Sequence, residues 1–170
     1  MTNVGRRTFP RRLAGVFMAL AMLVMSMPAD MTVFAEGAPW EDSGTATDPW
    51  RIMTPEDLIS MSNREGNTHN TELYKDNYFA LMNDIDLTGV DFAPIGTYSV
   101  PFYGTFYGCG YSIKNLTINK TDVDNVGLFS RIKDGFVRDL KVEGSVTGYD
   151  YVGGIAGSVT NSRIKDCSFR

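Results

Sequence analysis

Two aspartates, Asp84 and Asp86, stand two residues apart in the stretch Leu81-Met-Asn-Asp84-Ile-Asp86-Leu87. Alternation along an extended strand puts both carboxylates on one face, the layout of a general acid and base pair or of two oxygens of a calcium site. The solvated face of a half-buried strand has the same spacing. Asp122, Asp124 and Asp134 make a looser second group. A zinc peptidase needs H-E-x-x-H and a serine triad needs an imidazole. The chain has one histidine, His69, in the polar run Asn67-Thr-His-Asn-Thr71, which reads as a solvated loop. No catalytic residue, metal ligand or cofactor is therefore assigned, and the chain is not expected to be an enzyme.

Tyrosines are the remaining candidates. Tyr98, Phe102, Tyr103, Tyr107, Tyr111, Tyr149 and Tyr151 crowd segments that read as turns. Sugar rings stack on aromatic faces and protein interfaces favour tyrosine. Tyr103, Tyr107, Tyr111, Tyr149 and Tyr151 are the candidate binding residues, with a glycan or an extracellular protein as the expected partner. Asp84 and Asp86 are kept as a candidate acidic pair.

The elements that must position these residues are written in a repeat. Ile113-Lys-Asn-Leu-Thr-Ile118, Val137-Arg-Asp-Leu-Lys-Val142 and Ile164-Lys-Asp-Cys-Ser-Phe169 share one pattern of aliphatic, basic, Asn or Asp, apolar, polar, apolar. Each follows a glycine-led triplet: Gly104-Thr-Phe106, Gly127-Leu-Phe129 and Gly154-Ile-Ala156. A unit of roughly 20 to 30 residues cannot bury its own apolar face and must stack on its neighbours. The apolar residues sit at the first, fourth and sixth positions, and a corner at the second and third reconciles their parity. Asn115, Asp139 and Asp166 fall there, and Asn and Asp tolerate left-handed backbone. The expected fold is all-β: a right-handed parallel β-helix.

Thr54-Pro-Glu-Asp57 opens a helix over about 55–65, with Thr54 as N-cap and Pro55 in the first turn. It would cover the first rung, and Trp50 and Ile52 would join that cap. Residues 1–35 read as a signal peptide. Arg6, Arg7, Arg11 and Arg12 precede the uncharged apolar run Leu13 to Met27, and Val33-Phe34-Ala35 offers a cleavage site. Residues 36–47 read as a flexible leader, 48–100 as the N-terminal cap with the first strands, and 101–170 as the rungs. The C-terminal end is expected to be incomplete, with further rungs or a partner over it. Without the leader's four arginines and one aspartate, the formal charge is −7. Such a balance excludes a nucleic-acid partner, which needs a basic patch, and a polybasic membrane-surface mode. No later segment is apolar enough to span a bilayer. Cys109 and Cys167 fall two rungs apart, roughly 9–10 Å at the spacing of stacked strands, too far for a disulfide. Both are expected to be small, buried and unpaired.

Several of these pieces together resemble a known family. Gly44-Thr-Ala-Thr-Asp-Pro49-Trp50-Arg-Ile52, Thr54-Pro-Glu-Asp-Leu58, Pro94-Ile-Gly96 and Gly104-Thr-Phe-Tyr-Gly108-Cys-Gly110 are similar to the N-terminal part of exported bacterial β-helix proteins. Tyr151-Val-Gly-Gly154-Ile-Ala-Gly157 resembles the GLUG motif, also found in non-catalytic regions of IgA-cleaving metallopeptidases. Tyr107 and Cys109 depart from the pattern, standing where the family's turn more often carries Asp and Asn. The resemblance implies a secreted or cell-surface, adhesin-like module of a larger protein. Its alternatives are an accessory region of an extracellular metallopeptidase and a polysaccharide-cleaving β-helix enzyme acting through Asp84 and Asp86.

Overall fold

The computed structural model describes residues 43–62 and 74–170. The expected signal peptide, the first part of the leader and His69 lie outside these residues. In chain order the elements are β1 (Trp50–Ile52), α1 (Pro55–Met61), β2 (Tyr78–Leu81), β3 (Ile85–Asp86), β4 (Thr105–Tyr107), β5 (Ser112–Lys120) and β6 (Phe129–Lys133). They continue with β7 (Phe136–Arg138), β8 (Lys141–Gly148), β9 (Ala156–Thr160), β10 (Arg163–Lys165) and β11 (Ser168–Phe169).

The strands wind into a β-solenoid of about four turns with parallel sheets. A first sheet runs β1-β2-β4-β7-β10, a second β3-β5-β8-β11, and a third pairs β6 with β9. Ile95 extends the third sheet by a parallel bridge to Phe129. The chain visits first, second and third sheet in turn, so each sheet is one wall of the coil.

Register corrects the repeat alignment drawn from sequence. Phe79, Phe106, Val137 and Ile164 pair in one column of the first sheet. Ile85, Ile113, Val142 and Phe169 pair in one column of the second. Val137–Val142 and Ile164–Phe169 are therefore equivalent, as expected, and the turn that separates them is 27 residues. Ile113–Ile118 is not their equivalent; it lies wholly in the second sheet, with Ile113 opposite Val142 and Ile118 opposite Val146. Its odd parity comes from a bulge between Ile113 and Leu116 rather than from a corner. Likewise Gly127-Leu-Phe129 matches Gly154-Ile-Ala156, because Phe129 pairs with Ala156, whereas Gly104-Thr-Phe106 belongs to the first sheet. Parallel stacking also starts earlier than Pro101. Trp50, Arg51 and Ile52 already pair with β2, so they form a rung strand rather than part of a helical cap.

The corners follow the Asx chemistry. Asn115, Asp139 and Asp166 all have left-handed backbone, with φ of 57°, 53° and 52°. Asp139 and Asp166 turn the chain from the first sheet to the second, while Asn115 makes the bulge. Asp76, Asp134 and Asn161 are left-handed between the third sheet and the first. Opposite the bulge, Gly144 takes φ 156°, and a Cβ there would run into the Leu116 carbonyl.

The helix starts as the residues require. Thr54 Oγ1 accepts from the Asp57 amide at 3.3 Å, and the Asp57 carboxylate accepts from the Thr54 amide at 2.9 Å, a reciprocal capping box. It ends earlier than expected, at Met61, because Ser62 turns extended and bridges Ile95 on the third sheet. Leu58 and Met61 are fully buried. The described end of the expected leader is a hydrogen-bonded turn. Thr45 and Asp48 bond each other's backbone, and the Gly44 carbonyl accepts from the Tyr78 amide at 2.9 Å.

Inside the coil the early turns are aromatic. Phe102 touches Tyr74, Phe79 and Phe129 at ring distances of 5.6, 5.8 and 4.9 Å, and Phe106 meets Phe129 edge-on at 5.6 Å. Later turns are filled by Val137, Leu140 and Val142. The Tyr74 hydroxyl donates to the Met61 carbonyl at 2.6 Å, and its burial raises its pKa to about 12. Phe129→Ala should cost about 3–5 kcal/mol, as for other buried Phe truncations, measured by urea unfolding followed by circular dichroism. Gly144→Ala should cost about 2 kcal/mol through strain at a special backbone position, in the same measurement.

Candidate functional site

Asp84 and Asp86 do share the outer face of the second sheet, and both are exposed. Both Asp84 oxygens and Asp86 Oδ1 are already engaged. Asp84 accepts from Lys114 Nζ at 2.7 Å and from the Ser112 amide at 2.9 Å. Asp86 Oδ1 accepts from the Thr88 amide at 2.9 Å, the Thr88 hydroxyl at 2.7 Å and Asn115 Nδ2 at 2.8 Å. Asn115 also donates to Thr88 Oγ1 at 2.9 Å, so its bulge is tied to the previous turn. Each aspartate thus bonds residues 28 to 30 positions away, which is one turn of the coil. The hydrogen bond from Lys114 lowers the Asp84 pKa, and those from Asn115 and Thr88 bring Asp86 to about 2. A general acid requires a shift in the other direction. This pair is arranged as a rung-to-rung tie.

Asp122 and Asp124 lie between β5 and β6, whereas Asp134 lies between β6 and β7, at a different corner. Among the described residues no three His, Cys, Asp or Glu side chains converge as for a metal ion.

The five candidate tyrosines are dispersed. Tyr103 sits where the third sheet turns into the first. Tyr107 lies on the outer face of the first sheet between Tyr78 and Phe136, at 6.4 and 6.5 Å, with Arg138 above its ring at 5.9 Å. Tyr111 precedes β5 at the next corner. Tyr149 and Tyr151, 73% and 67% exposed, lie between β8 and β9. Sequence could not separate them, since only the register shows that Tyr107 ends a strand of the first sheet and which corner each of the other four occupies.

Both cysteines are free, but they are half-buried rather than buried. Cys109 sits in a left-handed turn (φ 53°). Cys167 takes the place of Leu140 one turn on, where no described strand covers it. Burial raises both thiol pKa values, which keeps them protonated and unreactive.

Sequence reasoning did not single out the line where the third sheet meets the first. Register places Asp76, Tyr103, Asp134 and Asn161 there on successive turns, each two residues before Tyr78, Thr105, Phe136 and Arg163. Two recesses open along it. One of about 390 Å³ is lined by Lys75, Asp76, Tyr103 and Asp134. The other, of about 320 Å³, is lined by Gly135, Phe136, Asn161, Ser162 and Arg163. The only advance signal was the left-handed Asx residue expected at corners.

Residues 148–170, spanning the end of β8 through β11, match the family model of the GLUG motif. The chain carries a GLUG motif. Structurally this GLUG segment is close to one turn of the coil, and its glycines stand where turns nearly touch. A Cβ on Gly157 would collide with the Asn125 and Val126 backbone, and one on Gly127 with the Gly153 carbonyl. The GLUG chain is 31% identical over 154 residues to a "Putative Gly-rich membrane protein" of Evansella cellulosilytica, covering 86% of this chain and 16% of that protein. It is 32% identical over 131 residues to halomucin of Haloquadratum walsbyi, covering 68% of this chain and 1% of halomucin. The chain thus spans a small part of the curated relatives it matches. No solved structure matches it. Among the described residues no helix is long and apolar enough to cross a membrane.

Asp84 and Asp86 generate a prediction. Their folded pKa values lie below the ordinary 3.8. Their ties therefore contribute stability that is present above about pH 4 and lost as pH falls toward 2. Asp86→Asn should flatten that part of the stability-versus-pH curve, measured by urea midpoints from pH 2 to 6. An unchanged acid limb would show that the ties do not stabilise the fold.

Proposed function

We propose that this chain is a non-catalytic module of a larger exported protein, a stalk that presents or binds a ligand outside the cell. The observation that carries the reading is that the described strands form one solenoid whose last described turn carries the GLUG motif. In such a coil each turn contacts only its neighbours, so the unit can be repeated to set reach without altering the rest. The names of the relatives, a membrane protein and a halomucin, support an outer location. The Arg-led apolar segment before Ala35 supports export. The engaged state of Asp84 and Asp86 favours a structural over a catalytic use of the acidic pair.

Expression of the full chain in a Gram-positive host tests the reading. The expected product is outside the cytoplasm and begins at Glu36 by mass spectrometry. Retention of an unprocessed chain in the cytosol would overturn export. Incubation of the protein with polyuronates should release no new chain ends. Cleavage that disappears in the Asp84→Ala, Asp86→Ala double variant would replace the stalk with an enzyme.

A further inference from the structure

We propose that the line between the third and first sheets is a binding groove for an uncharged pyranose polysaccharide, lying along the coil axis. The inference rests on the ligand-binding stalk reading and names its ligand class and site.

Position is the first argument. The two recesses of about 390 and 320 Å³ open on consecutive stretches of the same line, joined through Asp134, Gly135 and Phe136. Both are open to solvent, so a chain would lie along them rather than be enclosed. Turns stack about 4.8 Å apart, close to the length of one sugar unit. The four residues Asp76, Tyr103, Asp134 and Asn161 therefore span roughly 14 Å and meet a repeating ligand at nearly its own repeat.

Chemistry is the second. Tyr103 and Phe136 are half-buried aromatic walls, one in each recess, suited to the C–H face of a sugar ring. Asp76, Asp134 and Asn161 are exposed beside them, and among the described residues their side chains make no hydrogen bond. That contrasts with the second sheet, where both Asp84 oxygens and Asp86 Oδ1 accept from the neighbouring turn. The corner's backbone is equally committed. The Asp134 amide donates to the Thr160 carbonyl and the Gly135 amide to Ser162 Oγ, at 3.0 and 3.1 Å. Recognition there falls to side chains, with carboxylates accepting from sugar hydroxyls and Lys75 and Arg163 donating to ring and hydroxyl oxygens.

Charge chooses among ligands. Lys75 shares one recess with Asp76 and Asp134, Arg163 lines the other, and Lys133 Nζ sits 5.9 Å from the Tyr103 ring centre. Alternating signs oppose a phosphate-rich or uniformly acidic polymer, which would meet carboxylates at every second step. A neutral polymer rich in hydroxyl groups satisfies both signs at once.

The test is calorimetric titration of the full folded chain with cellohexaose, mannohexaose and chitohexaose. At least one should bind, with little dependence on salt. Phe136→Ala and Tyr103→Ala should each weaken it about tenfold, while Tyr103→Phe, which keeps the ring, should bind nearly as tightly. Asp134→Asn and Asn161→Gly, exposed changes that suit the left-handed backbone at both positions, should weaken binding severalfold. Asp150→Asn, an exposed change at the corner between β8 and β9, should leave it unchanged. Absence of binding by all three hexasaccharides at millimolar concentration would overturn the proposal. So would binding that survives both Phe136→Ala and Asp134→Asn, or binding confined to polyuronates and abolished by salt. A correctly exported chain that binds no hexasaccharide loses the groove but keeps the stalk; a chain that is never exported loses the stalk whatever it binds.

Discussion

The structure depends on the parallel backbone ladder that joins each turn to the next. Strands of two to nine residues cannot stand alone. They hold because the amides and carbonyls of one turn are satisfied by those of its neighbours, as where Ser130 donates to Ile95, Phe129 to Ile155 and Lys133 to Phe102. The apolar columns inside follow from that register. Once Phe79, Phe106, Val137 and Ile164 are hydrogen-bonded in line, their side chains must stack, and the first three are removed from water. Outer side chains then reinforce the ladder, Asp84 with Lys114 and Asp86 with Asn115, rather than forming a site across it.

Much of this was legible in the residues. Apolar spacing, glycine-led triplets and Asx corners dictated a solenoid, and Thr54-Pro-Glu-Asp57 dictated a capped helix start. The alignment of the first repeat was not legible. Ile113-Lys-Asn-Leu116 looks like Val137-Arg-Asp-Leu140 because a bulge and a corner make the same local demand, a left-handed Asx residue between aliphatics. The discriminating fact is the pairing of Ile113 with Val142, a contact between distant residues. Partners of Asp84 and Asp86 were hidden for the same reason, being a full turn away. Cys167 was misjudged because burial at a repeat position holds only where another turn lies above it, and Cys109 because it sits in a left-handed turn.

The candidate groove belongs to the class of features that a one-dimensional reading misses. Asp76, Tyr103, Asp134 and Asn161 share no local motif, and 27 to 31 residues separate each from the next. They become neighbours only through the coil. In a solenoid the local sequence sets the shape of a turn, while surface chemistry is written in columns across turns. Variation at one column position changes a binding line without disturbing the inner wall, since in and out alternate along every strand.

The change in core material along the coil bears on how such a stalk carries load. Ladder hydrogen bonds point along the axis, so tension applied end to end pulls them apart a turn at a time instead of shearing many together. Resistance is then set locally by whatever fills each turn. Around Phe102 and Phe129 interlocking rings must separate before the turn opens, whereas around Val137 and Val142 only small aliphatics must part. A coil built this way is graded along its axis, with the turns around Val137 and Val142 held by fewer interlocking side chains than the aromatic turns around Phe102.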